Sequence, residues 1–244
     1  MRARWIVVAA LLASCTTEAS TLSVFTAASL GEAMEEHARA FERDHEGVEV
    51  RVVLAGSQIL SRQIEEGAPA DVFAPASPAH AAAIEALLER PRTLACNEPV
   101  IVTPPSSRVR SFADLAEVDR LVVGTPEVPI GAYTDAMLAR APDALRRRIE
   151  ARIASRELDV RQVLAKVVLG EADAAIVYRT DAIGAGAAVR TISIDPALSV
   201  TARYPIAVVR ASREAELARA FVSFTGSAEG RAILEARGFV ECAP

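Results

Sequence analysis

Apolar residues along this chain fall into two alternating patterns, short unbroken runs and longer stretches at helical spacing, and that alternation is the mark of an α/β protein. Residues 22–25 read as a buried strand; Leu30, Ala33, Met34, Ala38 and Phe41 then keep a helical period up to the stop at Gly47. Residues 48–54 form a second strand, Leu60 and Ile64 mark a short helix ending at Gly67, and 70–74 form a third strand. Ser77-Pro78 is a strong helix start, an N-cap followed by proline at the first helical position, leading into 81–88.

A second block repeats the alternation. Residues 99–103 are extended and apolar and run into Pro104-Pro105. Strands are expected at 121–123, 174–177 and 189–194, and helices at 133–140 and 142–154. Val160, Val163, Leu164, Val167 and Val168 keep helical spacing until Gly170. A strand at 206–209 and two closing helices, 214–224 and 228–236, end at Gly238. The extended segments near 99–103 and 203–209 flank the central block, so the chain leaves a first lobe, builds a second and returns. That predicts lobe I from 21–100 plus 205–244 and lobe II from 101–204, with a ligand crevice between them at the strand carboxyl ends.

The amino terminus breaks the pattern. Met1-Arg2-Ala3-Arg4 is basic, residues 5–13 are uncharged and apolar, and Leu12-Ala13-Ser14-Cys15 follows. The run is too short for a bilayer span of ~20 residues and has the layout of a secretory signal. Leu12 to Cys15 looks like a lipobox, which makes 1–15 a lipoprotein signal peptide, Cys15 the acylated anchor and 16–20 a tether. An ordinary signal peptide with an incidental cysteine is the alternative.

Without Arg2 and Arg4 the chain carries 25 basic against 32 acidic residues. That balance argues against a nucleic-acid partner and means that an anion must be captured by local donors. An exported protein can oxidise its remaining cysteines, Cys96 and Cys242, to a disulfide closing a long loop; two buried free thiols are the other outcome. His37, His45 and His80 share no metal-ligand spacing and read as surface residues. Neither a nucleophile–His–Asp arrangement nor a phosphate-loop glycine pattern is evident. These absences point away from an enzyme and give no cofactor.

The candidate chemistry lies where strands turn into helices. Ser29 and Ser57 sit at equivalent strand-to-helix junctions of lobe I, which parallel strands would bring to one edge. Ile130 and Val160 head helices in lobe II and offer backbone N–H groups. Tyr178 ends a buried strand. Helix starts carry unpaired donors and a partial positive charge, so several converging would make an uncharged oxyanion pocket. Taken singly, each has a plain structural role as a cap, a turn or a packed ring.

Together with their surroundings these residues resemble the periplasmic molybdate-binding proteins of ABC importers, over about residues 22–240. The resemblance rests on Ala27-Ala28-Ser29-Leu30, on Arg62-Gln63-Ile64 with Gly67 to Phe73, on Val128-Pro129 with Gly131, on Asp159-Val160-Arg161, and on Gly170 to Asp173 with Ile176-Val177-Tyr178 and Asp181-Ala182. It implies a two-lobed periplasmic-binding-protein clamshell of type II-like topology. Each lobe would be a mixed sheet flanked by helices, joined by two crossover strands. It further implies Ser29 and Ser57 as hydroxyl and backbone donors, Ile130 and Val160 as backbone donors and Tyr178 as a phenol donor. No metal would be ligated directly; the ligand would be molybdate or tungstate, held as an oxyanion. The implied partners are an ABC permease and its ATPase, the implied state a monomer on the periplasmic face of a bacterial membrane. The chain departs from the family pattern at Gln58, Thr125, Ile130 and Pro75, which bears on selectivity. A non-transport oxyanion sensor or docking module, or a binder of sulfate or phosphate, is the competing reading.

Overall fold

The protein's structure, a computed structural model, describes residues 20–242; the leader, the lipobox at Cys15 and most of the tether therefore lie outside the described residues. In chain order the first part runs β1 (Ser20–Ala27), α1 (Gly31–Asp44), β2 (Val48–Ala55), α2 (Ser57–Glu65), β3 (Val72–Ala74), α3 (Pro78–Ala83) and β4 (Arg92–Asn97). The second part runs β5 (Pro99–Thr103), β6 (Leu121–Gly124), α4 (Pro129–Arg140), α5 (Asp143–Glu150), β7 (Ile153–Glu157), α6 (Val160–Val168), β8 (Ala174–Tyr178), α7 (Arg179–Ala185) and β9 (Arg190–Ser193). The chain closes with β10 (Ala202–Val208), α8 (Ala215–Thr225) and α9 (Ala228–Ala236).

These elements form a mixed α/β structure around two five-stranded sheets, ordered β2-β1-β3-β10-β4 and β7-β6-β8-β5-β9. The pairing scheme is the same in both, two parallel contacts followed by two antiparallel ones. The chain passes from the first sheet to the second at Glu98 and returns between Ser193 and Ala202. Strands with helices on both sides are buried across their width, as the continuous apolar runs require: every residue of β5, β6 and β8 is buried.

Three local expectations are corrected. The helix read over 142–154 stops at Glu150, and Ile153–Glu157 instead pairs in parallel with β6 as an edge strand. Alanine and arginine favour helix there, but an unpaired sheet edge outweighs local propensity. No strand is expected from the sequence over 92–97, yet β4 forms the other sheet's edge, exposed at its start and buried at its end. Lastly, His37 is not a surface residue; it is fully buried. It falls on the helical face of Ala33, Met34 and Phe41, with Nδ1 2.7 Å from the Ala33 carbonyl and Nε2 2.9 Å from that of Gly230 at the start of α9. Burial pushes its pKa down.

Cys96 and Cys242 are bridged. Reciprocal backbone bonds of 2.9 Å between Cys96 and Val240 lay the carboxyl-terminal segment beside β4. Among the described residues no helix is long and apolar enough to cross a membrane.

Candidate functional site

Strand register assembles the site. β1 and β2 run parallel with Ala27 opposite Ala55, so both strands end at one level and the chain turns into helix at each. A single 3-10 turn, Ala28–Leu30, carries Ser29, and Ser57 opens α2. In the second sheet β6 and β8 are likewise parallel. Ile130 lies in the first turn of α4, Val160 opens α6, and Tyr178 is the last residue of β8. All five sequence-predicted residues line one small cavity between the two sheets. The cavity volume is about 10 Å³, far below the ~300–1,000 Å³ of pockets for drug-sized molecules. A small ion is the class of ligand that fits.

Two glycines allow the close approach. A Cβ at Gly131 would collide with the carbonyl of Thr125, and one at Gly56 with the carbonyl of Leu158 across the cleft. The starts of α2 and α4 and the turn at Ala28 have no side-chain cap. First-turn N–H groups there have no side-chain acceptor, and the residues that carry them line the cavity. At α6 the Asp159 carboxylate accepts the backbone N–H of Gln162 at 2.9 Å and its Nε2 at 2.7 Å, leaving the N–H of Val160 open.

The hydroxyls are oriented by their partners. Ser57 is fully buried, and its Oγ accepts the backbone N–H of Ala76 at 3.0 Å. With that lone pair used, its own proton is left to donate. Ser29 Oγ lies 3.1 Å from the Tyr204 hydroxyl. The phenol of Tyr178 is buried, and its oxygen has no hydrogen-bond partner among the described residues. A buried hydroxyl left unpaired costs about 1–3 kcal/mol, so an acceptor belongs in the cavity. Desolvation pushes the Tyr178 pKa well up, which keeps it a proton donor.

Charge is kept out of the cavity. Asp159 is its only ionisable carboxylate, spent on capping α6, and no arginine or lysine lines it. Arg161 instead donates from Nε to the carbonyl of Ala28 at 2.9 Å, tying α6 to the opposite lobe. Beside the site, Asp181 accepts the N–H of Tyr178 at 3.1 Å, and burial pushes its carboxyl up to about 7. Among the described residues no cluster of three or more His, Cys, Asp or Glu could hold a metal ion. Chemically, the arrangement offers neutral donors of a kind that suits an acceptor-rich anion, since such bonds are strong when desolvated.

Sequence reasoning missed the residues behind and across the cavity. Gln58 Nε2 donates to the carbonyl of Leu158 at 2.8 Å, and His80 Nε2 lies 3.0 Å from that of Glu127, so both bridge the lobes. Tyr204 and Asn97 stand behind Ser29. Only the oddity of Gln58 in the motif pointed at any of these.

The sequence profile of the bacterial extracellular solute-binding proteins matches residues 22–240. The molybdate-binding protein ModA of Mycobacterium tuberculosis is 37% identical over 232 residues, covering 93% of this chain and 87% of that protein. Among solved structures, the Azotobacter vinelandii periplasmic molybdate-binding protein superposes with a TM-score of 0.80 at 22% identity, covering 91% of this chain and all of that one. The sulfate-binding protein SubI of M. tuberculosis gives 0.82 at 18% identity, covering 92% of this chain and 88% of its own. These two likenesses show the two-lobed fold.

Proposed function

The chain belongs to the bacterial extracellular solute-binding protein family, and on that premise we propose that it captures molybdate or tungstate outside the cytoplasm for import. The observation that carries the reading is the cavity of donors around the unpartnered Tyr178 hydroxyl. Ser29 and Ser57 supply hydroxyl protons, the first turns at Ile130 and Val160 supply N–H groups, and Tyr178 supplies its phenol. Molybdate and tungstate are fully deprotonated tetrahedral dianions near neutral pH and only accept hydrogen bonds. Hydrogenphosphate carries a proton and needs an acceptor, which this donor set lacks. The named function of the M. tuberculosis relative supports the choice of molybdate.

The ligand sits where both lobes contribute donors, so binding favours the closed arrangement, which a permease can read. In this reading the protein is a monomer held by a lipid on Cys15 at the periplasmic face, and its partners are an ABC permease and ATPase. It performs no catalysis. The likeness to a sulfate-binding protein favours one second reading, since sulfate is also a bare dianion and only cavity size excludes it. The sensor or docking-module reading shares the same site and is separated by whether the loaded protein stimulates a permease.

Calorimetric titration of the mature protein with molybdate, tungstate, sulfate and phosphate tests the proposal. Tight 1:1 binding of the first two alone is expected. Sulfate binding of equal strength would reassign the ligand, and no binding at all would sink the importer reading.

A further inference from the structure

Behind Ser29 lies a buried polar row that the binding residues do not account for. Asn97 Oδ1 accepts the backbone N–H of Glu98 at 2.9 Å, which fixes the amide so that Nδ2 faces the other way. Nδ2 donates to Thr180 Oγ1 at 2.8 Å and points its second proton at the Tyr204 hydroxyl at 3.4 Å. Tyr204 is fully buried in the middle of the β4–β10 pairing, where the register slips between Tyr204 and Pro205. Proline lacks an N–H for the ladder, and such a slip re-aims the neighbouring side chain. Phe239 packs on the Tyr204 ring at 5.5 Å between centroids, and Tyr178 lies against it at 5.7 Å.

The fixed amide bears on the order of protons along the row. An N–H aimed at the Tyr204 oxygen makes that oxygen an acceptor on the Asn97 side. Either hydroxyl of the Ser29–Tyr204 pair, 3.1 Å apart, could donate; with the Asn97 N–H on its oxygen, Tyr204 has its own proton to give to Ser29 Oγ. Ser29 accepts on that side and is left with its proton for the cavity. Burial keeps the Tyr204 phenol protonated, so it retains a proton to give.

We propose that Asn97 and Tyr204 are positioning residues that bias Ser29 toward donating into the cavity, and so favour fully deprotonated oxyanions over protonated ones at this site. This rests on the oxyanion reading of the cavity and deepens it. A free serine hydroxyl has two lone pairs with which to accept a proton from hydrogenphosphate; one already receiving the Tyr204 proton has a single lone pair left and must turn its own proton out of the cavity to do so. Ser57, whose Oγ accepts the Ala76 N–H, is biased in the same sense by backbone alone.

The test measures the ratio of molybdate to inorganic phosphate affinity by calorimetry at neutral pH. Tyr204→Phe should lower that ratio tenfold or more. Asn97→Asp, whose carboxylate draws the Tyr204 proton away from Ser29, should lower it at least as far at similar side-chain size. In a Ser29→Ala background Tyr204→Phe should leave the ratio unchanged, because the hydroxyl it orients is gone; a loss of packing alone would still act there. An unchanged ratio in both single variants, or an undiminished Tyr204→Phe effect without the Ser29 hydroxyl, overturns the proposal. Wild-type protein that binds no oxyanion overturns the underlying function together with it.

Discussion

The two walls of the cavity solve one problem differently. The first lobe offers serine hydroxyls whose oxygens already have partners, Ala76 N–H for Ser57 and the Tyr204 hydroxyl for Ser29. The second lobe offers helix-start N–H groups and a phenol with no partner among the described residues. One wall is satisfied before a ligand arrives and only has protons to spare. The other carries the cost of open donors until an anion fills the space. In the proposed reading, the satisfied wall fixes direction and with it selectivity, whereas the open wall supplies driving force for closure.

The largest effect that would break this contrast is removal of both serines. Ser29→Ala with Ser57→Ala should weaken molybdate binding by ~3–6 kcal/mol, two hydrogen bonds to a charged group. Titration showing undiminished affinity would refute the assignment of that wall. Tyr178→Phe on the opposite wall should cost about 1.5–3 kcal/mol of affinity. The same change should raise the ligand-free melting temperature, since it deletes a buried unpaired hydroxyl. Opposite signs in binding and stability are peculiar to an open donor; a fall in both would show that Tyr178 is satisfied in the free protein.

Val160→Pro isolates a single backbone donor. Proline is at home in the first helical position, and the preceding Asp159 is extended at φ −157°, ψ 166°, as a residue before proline should be. Affinity should fall by roughly 1–3 kcal/mol with the α6 helix retained by circular dichroism. Unchanged affinity would remove the Val160 N–H from the site.

The smallest effect concerns Asp181, whose carboxyl is pushed up to about 7, chiefly by desolvation. Its folded value lies above the ordinary 3.8, so the unfolded chain holds fewer protons in between and this group makes stability fall as pH rises from about 4 to 7. Ionised Asp181 also repels a dianion beside Tyr178. Molybdate affinity should therefore decline a few-fold as pH rises through about 7, and Asp181→Asn, which keeps an acceptor for the Tyr178 N–H, should flatten that profile. A wild-type profile as flat as the variant's would contradict it.

Legibility differed between the walls as well. Ser29 and Ser57 stood out because a polar residue after an apolar run and before a helical period is a local signal, and Ile130 and Val160 stood out as helix starts. Tyr204 left no such trace: its hydroxyl meets Ser29 across 175 positions, and a tyrosine in a strand looks like core. Gln58 was visible only as a departure, and its bond to Leu158 exists because lobe II closes over it. His37 was misread although its spacing from Ala33 and Phe41 was that of the buried face; residue type outweighed periodicity. The strands β4 and β7 went unseen because both are sheet edges, where half-exposed sequences fit a strand only once a neighbour offers its free hydrogen bonds.

The sequence by itself determined the class of fold, the excursion from one lobe to another, and the helix starts with their hydroxyls, because periodicity, caps and turns are set by neighbouring residues. It showed no internal repeat, yet both sheets share one pairing order. Tertiary structure alone decided that these starts meet around one cavity, that Tyr178 is left unpaired there, and that Asn97, Tyr204 and Ser29 stand in a row. Those facts depend on strand register and lobe closure, which sum contacts between residues far apart in the chain and have no local signature.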